Sequence, residues 1–388
     1  MFWNPLRIRV SVLLGVVVVL SASLVACGDG EKAQVSIVTN IRPLTNDFDA
    51  RIASKDGSLW LVKTSKDNDS DGFTTSVAEY DGSQWKIERR HFRSSNDWPL
   101  SIAIPQRTRE PCIGYSNRTG KSEVACRSEG VWRTITPTKD LSEFEVHDLG
   151  VSGDDLIALY TRVGLKSTVV RVAKQVGRTL RSISEPINLR DNVLANLGQS
   201  HNGTSRGIDV AMENLKTGDR WVATYRDGEW SHTGVLRGAA GPQLSGTVRT
   251  RQGLILPVTA VKTGEDAWKL NVFTYDGTWH HLHGTPLNVG PGSAQGRVDT
   301  VGDSSWFTWT QVDTTTMDRR GRTIISAFAA HLLDGGKVEE PIALWSGRAV
   351  WPGHTQAVPY RGGVAFLYMR GSRRGLDLAS EVRIEGGS

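Results

Sequence analysis

The chain has 388 residues, 38 % of them hydrophobic, with 41 glycines, 13 tryptophans and 3 cysteines. It is long enough for one large core or two ordinary domains, and its glycine and tryptophan content suits a turn-rich β protein better than a helical one. The formal charge is +5, and setting aside Arg7 and Arg9 at the N-terminus leaves +3. No basic stripe interleaves with aromatics, which points away from nucleic acid as a partner.

The first segment reads as an address. Arg7 and Arg9 precede an apolar run over 10–20, and Leu24-Val25-Ala26-Cys27 follows. A positive flank, a short apolar core and small residues before a cleavage point make a secretory signal, too short to span a bilayer comfortably. Leu24-Val25-Ala26-Cys27 resembles a bacterial lipobox. That resemblance implies a signal peptide over 1–26, a diacylated Cys27, and a tether over 27–33. It also implies a cell-envelope location, lipid-anchored on the extracytoplasmic side of a bacterial membrane. The competing reading is an ordinary signal peptide in which Cys27 is incidental.

Residues 34–388 read as one repeat domain. Tyr80-Asp81-Gly82-Ser83-Gln84-Trp85, Tyr225-Arg226-Asp227-Gly228-Glu229-Trp230 and Thr274-Tyr275-Asp276-Gly277-Thr278-Trp279 are copies of one hairpin phrase, with a weaker copy at Gly130-Val131-Trp132. Asp-Gly between alternating runs predicts a tight turn, because such turns need residues that tolerate positive φ. The phrase or its equivalent recurs every 47 to 50 residues, with a last interval of 58. A period of that size, filled by short strands, predicts a β-propeller.

In chain order the first unit has strands over 48–53, 58–64, 74–80 and 84–88. The second has 100–104, 111–116, 122–127 and 131–135, and the third 145–151, 156–161, 168–174 and 178–183. The fourth has 193–197, 208–212, 220–225 and 229–233, and the fifth 244–250, 254–261, 268–275 and 278–282. The sixth reads 296–301, 305–312, 323–333 and 337–341. The last has only 355–359, 363–370 and 376–383, and the unassigned run 34–40 supplies its missing outer strand. Pairing the termini would hide the remaining open edges. The expectation is an all-β propeller of four-stranded blades, seven in number and closed by the N- and C-terminal strands, with six or eight as competing counts.

Asp276-Gly277-Thr278-Trp279 resembles the Asp-box of sialidase-type propellers, one residue tighter, and residues 111–132 resemble repeats of secreted bacterial propellers. Asp-boxes staple turns away from any active site, so the likeness implies fold. The sialidase Arg-Ile-Pro appears here only in another order, as Ile41-Arg42-Pro43.

Three groups of residues suggest chemistry. Asp67, Asp69 and Asp71 before Gly72 match the first half of an EF-hand-type loop, and resemble the calcium hairpins of integrin-type propellers. The expected ligand set is Asp67, Asp69, Asp71, the Phe73 carbonyl and Thr75, with Ala78 where the closing acid would stand; a solvated acidic turn is the alternative. Cys112 and Cys126 sit opposite each other if 117–121 is the connecting loop, so a disulfide is expected in an exported protein. His280-His281-Leu282-His283 reads as a polar outer strand before a metal site.

No catalytic set stands out. The leading functional reading is a lipid-anchored binding platform whose loops gather at one mouth of the ring around an envelope protein or a glycan. The alternative is a sialidase-like glycoside hydrolase or a polysaccharide lyase.

Overall fold

A computed structural model describes residues 35–38, 47–66, 73–94, 100–117, 119, 121–200, 207–237, 244–250, 253–262, 268–281, 287–289, 294–319, 321–333, 338–349, 355–371 and 378–386. Besides turns, they form strands and two short 3₁₀ segments, Lys139–Leu141 and Thr314–Thr316. The strands belong to one compact unit, Gln34–Ser388.

Most strands form four-stranded antiparallel meanders. The first consists of Asp47–Lys55, Ser58–Lys66, Phe73–Tyr80 and Trp85–Ser94. Two more, running from Ser101–Ala103 to Val131–Pro137 and from Glu145–Ser152 to Thr179–Ser182, join through the parallel pair Thr179↔Thr136. Later meanders begin at Val193–Leu197, Val248–Thr250 and Ala294–Val301. In the last, Gln356–Tyr360, Gly363–Gly371 and Leu378–Glu385 are completed by Val35–Val38, with Val35 opposite Glu385 and Val38 opposite Val382.

Turn chemistry sets these registers. Arg226 pairs with Glu229 across Asp227 and Gly228, whose φ values are 52° and 94°. Glu129-Gly130, Asp56-Gly57 and Arg361-Gly362 repeat that pattern in other two-residue turns. Positive φ at both central positions matches the twist of the flanking strands. Asp81 works differently: its Oδ1 accepts from the Ser83 and Gln84 amides at 2.9 and 3.1 Å, fixing a four-residue turn between Tyr80 and Trp85.

The meanders pack face to face, and strand alternation explains how. Leu59 and Leu61 pack toward the terminal sheet, while Trp60 and Val62, alternating with them, pack toward the second meander. Leu156, Ala158 and Tyr160 face one neighbour, and Ile157 and Leu159 the other. Side chains two apart share a face, so a strand covered on both faces reads as a continuous apolar run. Full burial of each large side chain contributes about 1.5–3 kcal/mol. The terminal sheet packs on the first meander through Val358, Tyr360, Leu367 and Ile384, which joins the ends of the series.

The hairpin tryptophans also reach backwards along the chain. Trp230 Nε1 donates to the Glu185 carbonyl at 2.9 Å, and Trp279 Nε1 to the Gly234 carbonyl at 2.5 Å. Trp132 Nε1 donates to the Glu88 carboxylate. Each bond spans 44 or 45 residues, so the repeated Trp fastens one meander to the one before it. A tyrosine packs beside the same ring, 5.2 Å away for Tyr225 and Trp230 and 4.9 Å for Tyr275 and Trp279.

Three strand expectations need correction. The strand expected over 84–88 continues, past a bulge between Thr75 and Val77 on its partner, to Ser94. The outer strand of the sixth unit is Ile342–Ala349, not 337–341. An isolated bridge, Leu332↔Val338 with the Glu339 amide donating to the His331 carbonyl at 2.9 Å, precedes it, but Pro341 has no amide to donate, so the continuous ladder starts only after it. The run 244–250 breaks at Gly246, where φ is 97°. Leu244–Ser245 then pairs in parallel with Gly296–Arg297 of the next meander, and Val248–Thr250 alone opens its own.

Candidate functional site

The first strand of each meander lies innermost, and these strands touch one another: Asp47–Lys55 meets Gln356–Tyr360, and Ala294–Val301 meets Gln356–Tyr360 from the other side. Their inward positions carry polar and charged side chains, which an apolar core strand would not. Some are held by a partner on a neighbouring strand, and Arg51 and Arg297 by an aspartate two residues away on their own.

Asp299 is fully buried and sits at the centre of this arrangement. Its Oδ1 accepts from Arg297 Nε at 2.5 Å and Gln199 Nε2 at 3.1 Å, and its Oδ2 from the Ala357 amide at 2.9 Å. Gln199 Oε1 in turn accepts from the Thr300 amide at 2.7 Å. Gln356 spans to the first meander, accepting from the Ile52 amide and donating to the Ile52 carbonyl at 3.0 and 2.9 Å. Asp148 accepts from its neighbour Leu149 and, across meanders, from the Leu197 amide at 3.0 Å. Arg249 grips Asp209 with two bonds of 2.7 Å.

This polar ring changes the protonation of its members. Burial raises the Asp148 carboxyl above its ordinary range, against the pull of Arg297 and two backbone amides. Burial, helped by the charge of Arg51, lowers the His147 imidazole to about 4. Arg51 pairs with Asp49, and Arg297 with Asp299. The centre therefore sets two guanidiniums against three carboxyls, one of which burial drives toward its neutral form.

A cavity of about 650 Å³ opens onto this ring, lined by Arg51, Asp148, Gln199, Arg297, Thr300 and Gln356 together with apolar walls such as Ile52, Leu149 and Val358. It extends to the turns that join first to second strands, including Asp56-Gly57 and Arg361-Gly362. A second cavity of about 540 Å³ adjoins it between residues 150–157 on one side and 197–199 and 207–209 on the other; exposed Gln106 lines both. The carboxylates at this centre hold backbone amides and guanidiniums, so each has a fixed structural task. The arrangement offers many hydrogen-bonding groups and little net charge to a ligand.

Those residues singled out in the sequence that the structure describes lie elsewhere. Cys27, Asp67, Asp69, Asp71 and His283 fall outside the described residues. Phe73 opens a strand and pairs with Lys66 and Ser94. Thr75 is buried, its hydroxyl 3.2 Å from that of Thr64 across the ladder. Cys112 and Cys126 form the expected disulfide, directly opposed in register. His280 is exposed and bonds to Asp276 and Thr278, while His281 packs edge-on to Phe273. No metal-binding cluster of three or more His, Cys, Asp or Glu occurs among the described residues.

The ring residues escaped the sequence reading. The one trace they leave is Asp49-x-Arg51 and Arg297-x-Asp299: paired opposite charges on one face of a first strand. Their partners are up to 304 residues away, which no local pattern reveals.

No known family profile and no curated protein matches the chain. Solved structures do. An acylaminoacyl peptidase of Pyrococcus horikoshii is similar over 88 % of this chain and 51 % of its own, at 10 % identity and TM-score 0.50. The chain spans about half the length of that peptidase. A sialidase of Trypanosoma rangeli is similar over 88 % of this chain and 55 % of its own, at 12 % identity and TM-score 0.45. A fucose-specific lectin of Aleuria aurantia is similar over 76 % of this chain and 95 % of its own, at 9 % identity and TM-score 0.43. At such identities the likeness concerns fold: the protein is a β-propeller.

Proposed function

We propose that the protein is a lipid-anchored, extracytoplasmic binding platform whose propeller has seven blades and whose central cavity receives a neutral glycan. The observation that carries this reading is the lining of the cavity. Among the described residues its carboxylates are engaged by backbone amides and arginines, which leaves no pair of these acids poised for glycoside hydrolysis. The mixture of amides, hydroxyls and balanced charges suits a ligand that both donates and accepts hydrogen bonds and carries no net charge. A volume of about 650 Å³ lies within the range of small-ligand sites.

Other features agree with the rest of the reading. A disulfide fits an oxidising, exported setting. The lipobox-like Leu24-Val25-Ala26-Cys27 supports anchoring through Cys27. Seven blades follow if the joined sheet counts as two and the terminal strands close the last. A weak structural calcium site at Asp67, Asp69 and Asp71 belongs to the same proposal, within the millimolar range of extracellular modules.

Two experiments test it. Full-length protein in detergent is applied to an array of neutral and acidic glycans, beside Gln106→Trp, which fills the shared rim without touching the polar ring. Binding to neutral glycans, lost in the variant, is expected; binding confined to acidic glycans, or unaffected by the variant, refutes the site. Membrane fractionation of wild type against Cys27→Ala tests the anchor, and equal solubility of the two refutes it.

A further inference from the structure

The face opposite the cavity has a distinct character. At the far ends of the third and fourth meanders, Val163 is 64 % exposed, Leu165 99 %, Leu215 49 % and Val235 50 %. Exposed cations stand among them: Lys166, Arg190, Lys216 and Arg237. None of the four has a carboxylate partner among the described residues.

These residues come from separate loops that hydrogen bonds tie into one strip. The Asp191 amide donates to the Lys166 carbonyl at 2.9 Å, and the Leu215 amide to the Asn192 carbonyl at 3.0 Å. Asn214 Nδ2 reaches Asp191 Oδ2 at 3.5 Å. Beyond the turn after Leu215, Arg220 and Leu236 exchange backbone bonds of 3.1 and 2.8 Å, which holds Val235 and Arg237 beside the strip. Leucines and valines presented this openly on bonded loops, with Lys166 next to Leu165, Lys216 next to Leu215 and Arg237 close to Val235, form the kind of patch that marks an interaction surface.

We infer that this strip docks an acidic protein partner that has apolar recesses for Leu165 and Leu215. A second copy of the chain does not fit, because the four exposed cations of one strip would meet the same four on the other with only the half-buried Asp191 and Asp219 to offset them. A bilayer does not fit either, by an argument that rests on the Cys27 anchor proposed above. Val35 lies opposite Glu385, at the end of the strand that runs toward the cavity face, so the chain enters the propeller from that side. Eight residues, 27–34, reach at most about 28 Å when fully extended. The nine-residue strand Gly363–Gly371 spans about 30 Å from one face to the other. A tether of that length keeps the cavity side toward the membrane and the strip away from it.

The test places a photo-crosslinking amino acid at Leu165 or Leu215 of the full-length protein in the cells that make it. Val176, exposed at the opposite end of the third meander, is the control. The expected result is an adduct with an acidic protein, identified by mass spectrometry, at Leu165 and Leu215 but not at Val176. Lys166→Glu with Lys216→Glu should lower its yield about tenfold, as charge reversal across a complementary interface does. Absence of adducts above the Val176 control, or adducts indifferent to charge reversal, overturns the inference. A parallel arm mixes Cys27→Ala protein with vesicles of phosphatidylglycerol and phosphatidylcholine in equal parts. Vesicle binding abolished by the same reversal would assign the strip to a membrane and also overturn it. If fractionation shows no lipid on Cys27, the anchor reading fails on its own, and the crosslinking and vesicle arms still decide between protein and bilayer.

Discussion

Replacing Asp299 with alanine should destabilise the whole propeller. The side chain is fully buried and accepts from Arg297, Gln199 and the Ala357 amide, so its loss strands donors from three strands. Two orphaned neutral donors cost about 1 kcal/mol each at the low end of such penalties. Breaking a buried ion pair costs about 3–5 kcal/mol, and the lower figure applies because Asp148 still faces Arg297. The sum is about 5 kcal/mol, or about 10 °C at roughly 2 °C per kcal/mol for a domain this large. Urea unfolding followed by tryptophan fluorescence, with a thermal melt beside it, measures the change. A fall below about 1 kcal/mol would refute the account of Asp299 as a structural pin between blades. A catalytic acid, by contrast, is expected to be removable at little cost in stability.

Further outcomes follow from other parts of the fold. His147, lowered to about 4 by burial, favours the native state above its unfolded pKa near 6.5, and this contribution is lost as pH falls from 6.5 toward 4. It amounts to at most about 3 kcal/mol, less for residual exposure, and His147→Phe should flatten the pH dependence of urea midpoints across that window. Deleting residues 34–38 removes four paired positions of the terminal sheet and should cost about 2–6 kcal/mol in ladder bonds; an unchanged melting temperature would show that the sheet does not need them. Reducing Cys112–Cys126, which are 14 residues apart, should cost about 3 kcal/mol by loop entropy, read as a drop in urea midpoint with reductant. Millimolar calcium should raise the melting temperature of wild type and not of Asp69→Ala, and equal behaviour of the two would discard the loop as a site.

The parts of this fold that could be read in the sequence are those whose cause is local. Asp227-Gly228 and Asp81-Gly82 mark turns because their own backbone and side-chain chemistry makes the turn, so the strand ends beside them fall within a residue of expectation, although the strand after Asp81-Gly82 runs on to Ser94. The opposed cysteines follow from counting outward from one loop. What stayed hidden depends on distant partners. Asp299 looks like any strand aspartate until Gln199 and Ala357 arrive from other meanders. The Trp230 and Trp279 staples need the fold before their acceptors, 45 residues upstream, can be named. Pro341 displaced an outer strand because proline removes a ladder donor that a reading by period alone had assumed.

The measurement that tests the central claim most directly is calorimetry of the full-length protein with a neutral oligosaccharide chosen from the array, followed by mass spectrometry of the recovered sugar. The account predicts saturable binding, abolished by Gln106→Trp, and an oligosaccharide recovered intact after prolonged incubation. Cleaved sugar from wild type, absent with the variant, would contradict it and make the central cavity a hydrolytic site.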